Sequence, residues 1–206
     1  AFVYEPVSVK KRSILLDTDI GPDCDDAGAL AVLYGLKKQY GFRVAGVVNC
    51  TSNPYGNGAI EAICRFCGDP DVRIGMYEKP GFLADCTSFN RYLSEQMSPT
   101  FAQGRLQALP ALELYRRALN EAEDDGIILV TIGQFNVLSE LLQSEAALIK
   151  RKVYALVSMA GRFPSGGEYN IYCDADAAKN VFDHFPKPIL CSGFEVGETV
   201  LTGFPA

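Results

Sequence analysis

Apolar positions along this chain recur with two alternating periods, and that alternation predicts its architecture. Short apolar runs bounded by turn residues read as strands at 14–16, 42–48, 72–75, 126–133, 152–159 and 188–192. Between them, apolar residues spaced three or four apart predict helices over 27–38, 57–67, 111–122, 137–143 and 174–182. The first of these starts near Asp25 or Asp26. Strand and helix in regular alternation predict an α/β fold: an open, mostly parallel, doubly wound sheet with helices on both faces. Residues 198–202 extend the last strand or begin another. Residues 79–110 follow neither period, and their scattered Pro, Gly, Ser and aromatics predict an excursion over the sheet edge. No repeat or linker interrupts the pattern, so 1–206 reads as a single domain.

Composition narrows the field of partners. At 206 residues the chain can bury a substantial core. A net charge of −6 and a pI near 4.9 argue against nucleic acid or an anionic membrane as partner. No apolar run is long enough to span a bilayer. The chain opens Ala1-Phe2-Val3-Tyr4 without Met, which suggests trimming and leaves the compartment open between cytoplasm and export. Seven cysteines, an odd number spread along the chain, make a poor disulfide framework. Cys64 and Cys67 form a C-x-x-C inside a helical pattern with no second pair, so buried thiols are expected there rather than a metal site. His184 is the only histidine, and at a helix end it suits the macrodipole better than catalysis.

The chemistry concentrates in one stretch after the first strand. Asp17, Asp19, Asp23, Asp25 and Asp26 fall within ten residues at a strand's carboxyl end. At roughly 5 Å and an effective dielectric of about 20, each pair repels by about 3 kcal/mol. A helix N-terminus offsets only about 0.3–1 kcal/mol for one or two of them. Repulsion therefore wins unless a cation sits among the carboxylates. Oxygen ligands without a nearby His or Cys pair favour a hard ion, Ca²⁺ or Mg²⁺. The plainer reading is a solvated loop with a capping Asp. The strand-end position counts against it, because open α/β sheets bind ligands there.

The stretch D-T-D-I-G-x-D-x-D-D-A-x-A-L resembles the inosine–uridine type nucleoside hydrolases, whose usual form is D-x-D-P-G-x-D-D-A. Two residues are added here between the Asp pairs. Three later loops resemble the same family: the segment around Asn53, the Leu129–Leu138 stretch, and Met159 to Asp174 with Glu168 and Asn170. The resemblance implies Ca²⁺ held by Asp19, Asp26 and the backbone carbonyl of Ile132. It implies Asp19 as general base toward a water, and Asp25, Asn53, Glu168 and Asn170 as sugar-binding residues. Asn53 reads equally well as an Asn-Pro turn. Asp17 would orient the loop from behind, and Asp23, in the two-residue insertion, has no assigned part. The implied reaction is hydrolysis of ribonucleosides to ribose and free base, as in nucleoside salvage. A homo-oligomer is left open.

Two other readings compete. A haloacid-dehalogenase type phosphatase would use Asp17 as nucleophile and Asp19 as acid–base, but Gly21 stands where that family carries Thr or Val. A nucleoside- or ribose-binding protein without turnover would need only the sugar grip. Members of the resembling family usually run longer, and their C-terminal part supplies a further Asp ligand and often a His. No Asp follows Asp183 here, so the expectation is a fragment or short member that hydrolyses nucleosides poorly by itself.

Overall fold

The computed structural model describes residues 12–21 and 23–201. In chain order the elements are β1 (Ser13–Thr18), α1 (Asp25–Tyr40), β2 (Arg43–Asn49), α2 (Pro54–Phe66), β3 (Ile74–Met76), α3 (Phe89–Tyr92), α4 (Pro99–Ala102), β4 (Leu109–Pro110), α5 (Ala111–Glu121), β5 (Ile127–Thr131), α6 (Asn136–Lys152), β6 (Val153–Met159), α7 (Tyr169–Cys173), α8 (Ala175–His184), β7 (Ile189–Ser192) and α9 (Phe194–Gly197). A π-helical turn, Leu93–Met97, joins α3 to α4.

The strands form one parallel sheet in the order β4-β3-β2-β1-β5-β6-β7. The chain works outward from β1 to one edge, then returns to β5 on the other side of β1. The order reverses between β1 and β5, and the crevice at their carboxyl ends is where such sheets place ligands.

Side chains alternate across the sheet and divide the core in two. Leu15 packs with Leu114, Tyr115 and Ala118 of α5, Leu138 and Leu141 of α6, and Val181 of α8. Ile14 and Leu16 face the other way, against Leu30 and Leu33 of α1 and Ala59 and Ile60 of α2. The alternation continues into polar residues: Asp17 meets Tyr115 of α5, and Thr18 meets Asp26 of α1. A strand that ends this way delivers one acid to each face of its carboxyl end.

Several predicted boundaries shift for identifiable reasons. Helix α2 begins at Pro54, because Asn53 accepts a hydrogen bond from Tyr55 N at 2.9 Å and caps it, with Pro54 at the first helical position. Helix α6 runs on to Lys152 past a kink at Glu145 (φ −133°). The excursion over 79–110 carries two short helices, the π-turn and the edge strand β4, whose two residues are too few to give a sequence period. No strand forms over 198–201: Glu198 and Thr199 make the turn that follows α9, with Val200 N on Gly197 O. Thr202, the N-terminal Ala1–Tyr4 stretch and the last residues lie outside the described residues. Cys50 and Cys64 are buried as expected, but Cys24 and Cys191 are exposed.

Candidate functional site

The five aspartates separate by position once the strand ends. Asp17 is still within β1, 1% exposed, and accepts the Tyr115 hydroxyl on Oδ2 at 2.7 Å. Its Oδ1 has no hydrogen-bond partner. Burial pushes its pKa up to about 7, and the Tyr115 hydroxyl and Cys50 thiol only partly counter that. Asp19 lies just beyond the strand and takes Gln134 Nε2 on Oδ2 at 2.6 Å. Burial lifts it to about 6, against the Gln134 bond and with the charges of Asp23 and Asp25 adding.

Asp25 and Asp26 open α1. Asp26 is 4% exposed, and one of its oxygens accepts the Thr18 hydroxyl. Burial, then the charge of Asp19, holds its carboxyl well above the usual carboxylate range. Carboxylate oxygens of Asp23, Asp25 and Asp26 lie within 4.8 Å of one another. Among the described residues, no ion pair reaches any of the five aspartates.

The β5 loop presses against this cluster. A Cβ at Gly133 would sit 2.8 Å from Asp19 N and 2.6 Å from Cys50 Sγ, so only glycine lets the two strand ends approach this closely. Gln134, fully buried, then bridges three groups: Asp19, Asn170 Oδ1 at 3.2 Å, and the Cys50 thiol at 3.5 Å. Asn170 in turn donates to the Ile132 carbonyl at 3.1 Å and to Met159 O at 3.2 Å. Glu168 caps α7, accepting Asn170 N at 2.7 Å, Ile171 N at 3.1 Å and Gly161 N at 3.2 Å.

The structure thus brings Asp19, Gln134, Asn170, Ile132 and Glu168 into one hydrogen-bonded group, with Asp23, Asp25 and Asp26 beside Asp19. Asn53 stands apart from it. Its side chain caps α2 and donates to Ala84 O at 2.9 Å and Thr87 Oγ1 at 2.7 Å, which ties its loop to the excursion. The side-chain oxygen and nitrogen of Asn53 are both bonded within the protein. Gln134 and Tyr115 are the site-building residues that sequence reasoning missed. Gln134 falls where the family's usual segment has Pro, so no motif marks it, and Tyr115 reads only as a core position of a helix. His184 closes α8, with Nδ1 3.0 Å from Asn180 O.

The donor set suits a hard divalent ion. It is all oxygen, it is strongly anionic, and its buried Asp26 and half-buried Asp19 are held above their ordinary pKa by burial and mutual repulsion. A cation would relieve both.

Residues 14–203 match the family model described as inosine-uridine preferring nucleoside hydrolase. No curated protein sequence matches the chain. Among solved structures, the inosine-uridine preferring nucleoside hydrolase of Bacillus anthracis is similar at 18% identity and a TM-score of 0.71, over 93% of this chain and 68% of that one. An inosine-guanosine nucleoside hydrolase is similar at 22% identity and 0.70, over 92% and 63%. The type III effector XopQ, solved with adenosine diphosphate ribose, is similar at 19% identity and 0.67, over 88% and 57%. The chain therefore spans about three fifths to two thirds of the length of these proteins. At such identities the likeness establishes the shared fold.

Proposed function

Because the chain belongs to the inosine-uridine preferring nucleoside hydrolase family, we propose that it cleaves the N-glycosidic bond of ribonucleosides to ribose and free base at a calcium-dependent site. The observation that carries this is the Gln134 amide, which hydrogen-bonds both Asp19 and Asn170. It joins the proposed base to the proposed sugar grip across the β1–β5 switch point.

Asp19, Asp26 and the Ile132 carbonyl would hold the ion, which when bound supplies Lewis acidity that acidifies a coordinated water. Asp19 takes the proton of the attacking water. Burial, which raises the carboxyl of Asp19 above its ordinary range, favours its accepting that proton. The water oxygen bonds to the anomeric carbon, and the C–N bonding pair leaves with the base, which is protonated from solvent. Positive charge develops on the sugar ring as that bond stretches, and the surrounding carboxylates stabilise it. Asp25 and Asn170 bind ring hydroxyls. Glu168 fixes the loop that presents Asn170 and offers its carboxylate to the far side of the sugar.

The test is release of reducing sugar from inosine and from uridine, with calcium and with chelator. Slow calcium-dependent release is expected, reduced about a hundredfold or more in Asp19→Asn. Equal rates for wild type and Asp19→Asn would overturn the assignment. Nucleoside binding with no release would replace hydrolysis by the binding-only reading.

A further inference from the structure

We propose that Gln134 is a positioning residue that aims Asp19, and that the Cys50 thiol holds the Gln134 amide in the orientation this needs. The inference rests on the hydrolase reading above and adds to it two residues that no motif marks. Gln134 stands where the family's usual segment has Pro, so the chain carries an amide where proline offers no polar side chain. That amide is fully buried and bonded at both of its polar atoms. Nε2 donates to Asp19 Oδ2 at 2.6 Å and to Asn170 Oδ1 at 3.2 Å, and Oε1 accepts the Cys50 thiol at 3.5 Å.

An amide can turn over about its last bond, and only one of its two settings fits here. Turned over, Oε1 would face two acceptors, the Asp19 carboxylate and the Asn170 carbonyl oxygen, and Nε2 would face a sulfur that accepts only weakly. Cys50 supplies the donor that the favourable setting requires. Its own backbone is fixed at both ends: the N–H donates to Thr18 O at 3.0 Å, and the carbonyl accepts Asn136 Nδ2 at 2.9 Å. Phe135, next to Gln134, is fully buried with its ring 5.2 Å from that of Phe182. The amide is therefore referenced to the ends of β1 and β2 and to the core beneath α6 and α8.

The two acceptors depend on that amide unequally. Asn170 also donates to Ile132 O at 3.1 Å and Met159 O at 3.2 Å, so it keeps its place without Gln134. Asp19 lies beyond the last ladder pair, and Gln134 is the side chain that holds its carboxylate. Loss of the amide should free the base and leave the sugar grip intact. Groups that orient a catalytic or metal-binding side chain in this way are worth about 10–100-fold in activity or affinity.

Gln134→Met keeps the length of the side chain and removes its donors and acceptor. Phe135→Leu is the packing control in the same loop. At saturating calcium, release of reducing sugar from inosine should show kcat about 10–100-fold lower in Gln134→Met. Ribose affinity, read by titration calorimetry, should hold. Cys50→Ala should lower kcat in the same direction and by less, whereas Phe135→Leu should lower Tm with kcat near wild type. Calcium calorimetry reads the aim of Asp19 without turnover, and Gln134→Met should bind calcium about tenfold more weakly. Unchanged kcat and calcium affinity in Gln134→Met, an equal kcat loss in Phe135→Leu, or ribose affinity lost in step with kcat would each overturn the role of Gln134. A kcat for Cys50→Ala equal to wild type would overturn the part given to the thiol. Wild type that binds calcium and ribose but releases no sugar would overturn the hydrolysis alone, and the calcium shift in Gln134→Met would still decide the positioning role.

Discussion

The approach of β5 to β1 can be tested by one methyl group. In Gly133→Ala the new Cβ would lie 2.6 Å from Cys50 Sγ, 2.8 Å from Asp19 N and 3.1 Å from Asp19 Cβ. The sulfur is the end of a side chain and can rotate a little, although Cys50 is fully buried. The Asp19 nitrogen is backbone and can yield only if the loop carrying the proposed base moves. Forcing a methyl into packing this tight costs about 1–3 kcal/mol. For a domain of this size each kcal/mol shifts Tm by about 2–4 °C, so Tm should fall by about 2–12 °C.

The comparison variant is Gly28→Ala. Gly28 sits inside α1, only two residues after Asp26, yet a Cβ there meets nothing within 4 Å. Alanine in an open helical position stabilises by about 0.5–1 kcal/mol, which predicts a rise of about 1–4 °C. The two glycines flank the same site and should answer the same substitution with opposite signs. Differential scanning fluorimetry, run with and without calcium, reads both. Gly133→Ala should also weaken calcium binding, because its clash bears on Asp19. A Tm for Gly133→Ala at or above wild type would refute the close approach of the strand ends. A lowered Tm with unchanged calcium affinity would refute the link between that approach and the site.

Three further outcomes follow from the same geometry. Calcium at a hundred times its Kd adds about 2.7 kcal/mol to the folded state and should raise Tm by about 5–11 °C; chelator reverses the rise and Asp26→Asn abolishes it, and an equal rise in Asp26→Asn would count against that ligand. Tyr115→Phe removes the hydroxyl that Asp17 Oδ2 accepts at 2.7 Å, leaving that buried oxygen without its donor at a cost of about 1–3 kcal/mol, read by urea unfolding; a loss within experimental error would show that the bond contributes nothing. Asp17, raised from 3.8 to about 7, keeps its proton in the native state over that window, so the stability it contributes is complete below the lower value and lost as pH rises through the upper one. Asp17→Asn should flatten the chelated protein's stability between those pH values by up to about 4 kcal/mol, and an unchanged slope would refute the assignment.

How much of this was legible in the sequence depended on whether the cause was local. Strand β5 and helix α5 follow from apolar runs and spacings, and the acidic loop from five carboxylates within ten residues. Asn53-Pro54 carries a cap signal, but its side-chain partners Ala84 and Thr87 lie about thirty residues away, so nothing nearby tells a cap from a sugar ligand. Gln134 and Tyr115 act across 115 and 98 residues of sequence, and their roles exist only after the sheet brings β1, β5 and α5 together. The segment 198–202 shows the opposite failure. Its apolar Val200 and Leu201 suggest a strand, but among the described residues no strand pairs with them, and a turn after α9 satisfies the backbone locally.

The same Asp-x-Asp supports two chemistries, and the strand's alternation chooses between them. A phosphatase of the dehalogenase type needs Asp17 as an accessible nucleophile with a free oxygen in line with phosphorus. Here Asp17 is the last inward-facing residue of β1, 1% exposed and bonded to the Tyr115 hydroxyl. Turning it toward solvent would break that bond and require the whole strand to slip by one residue. Such a slip would also send Leu15 to the α1–α2 face and Leu16 to the α5–α6 face. Asp19 is free of that constraint, because it lies one residue beyond the last ladder pair. Its orientation is set by Gln134 and by the loop instead of the pleat. Burial and neighbouring charge then raise its pKa to about 6, into the range where a carboxylate can take a proton from water and return it near neutral pH. In this arrangement Asp17 is the buried anchor of the strand end, and Asp19 is the acid that the proposed hydrolysis would turn toward the substrate.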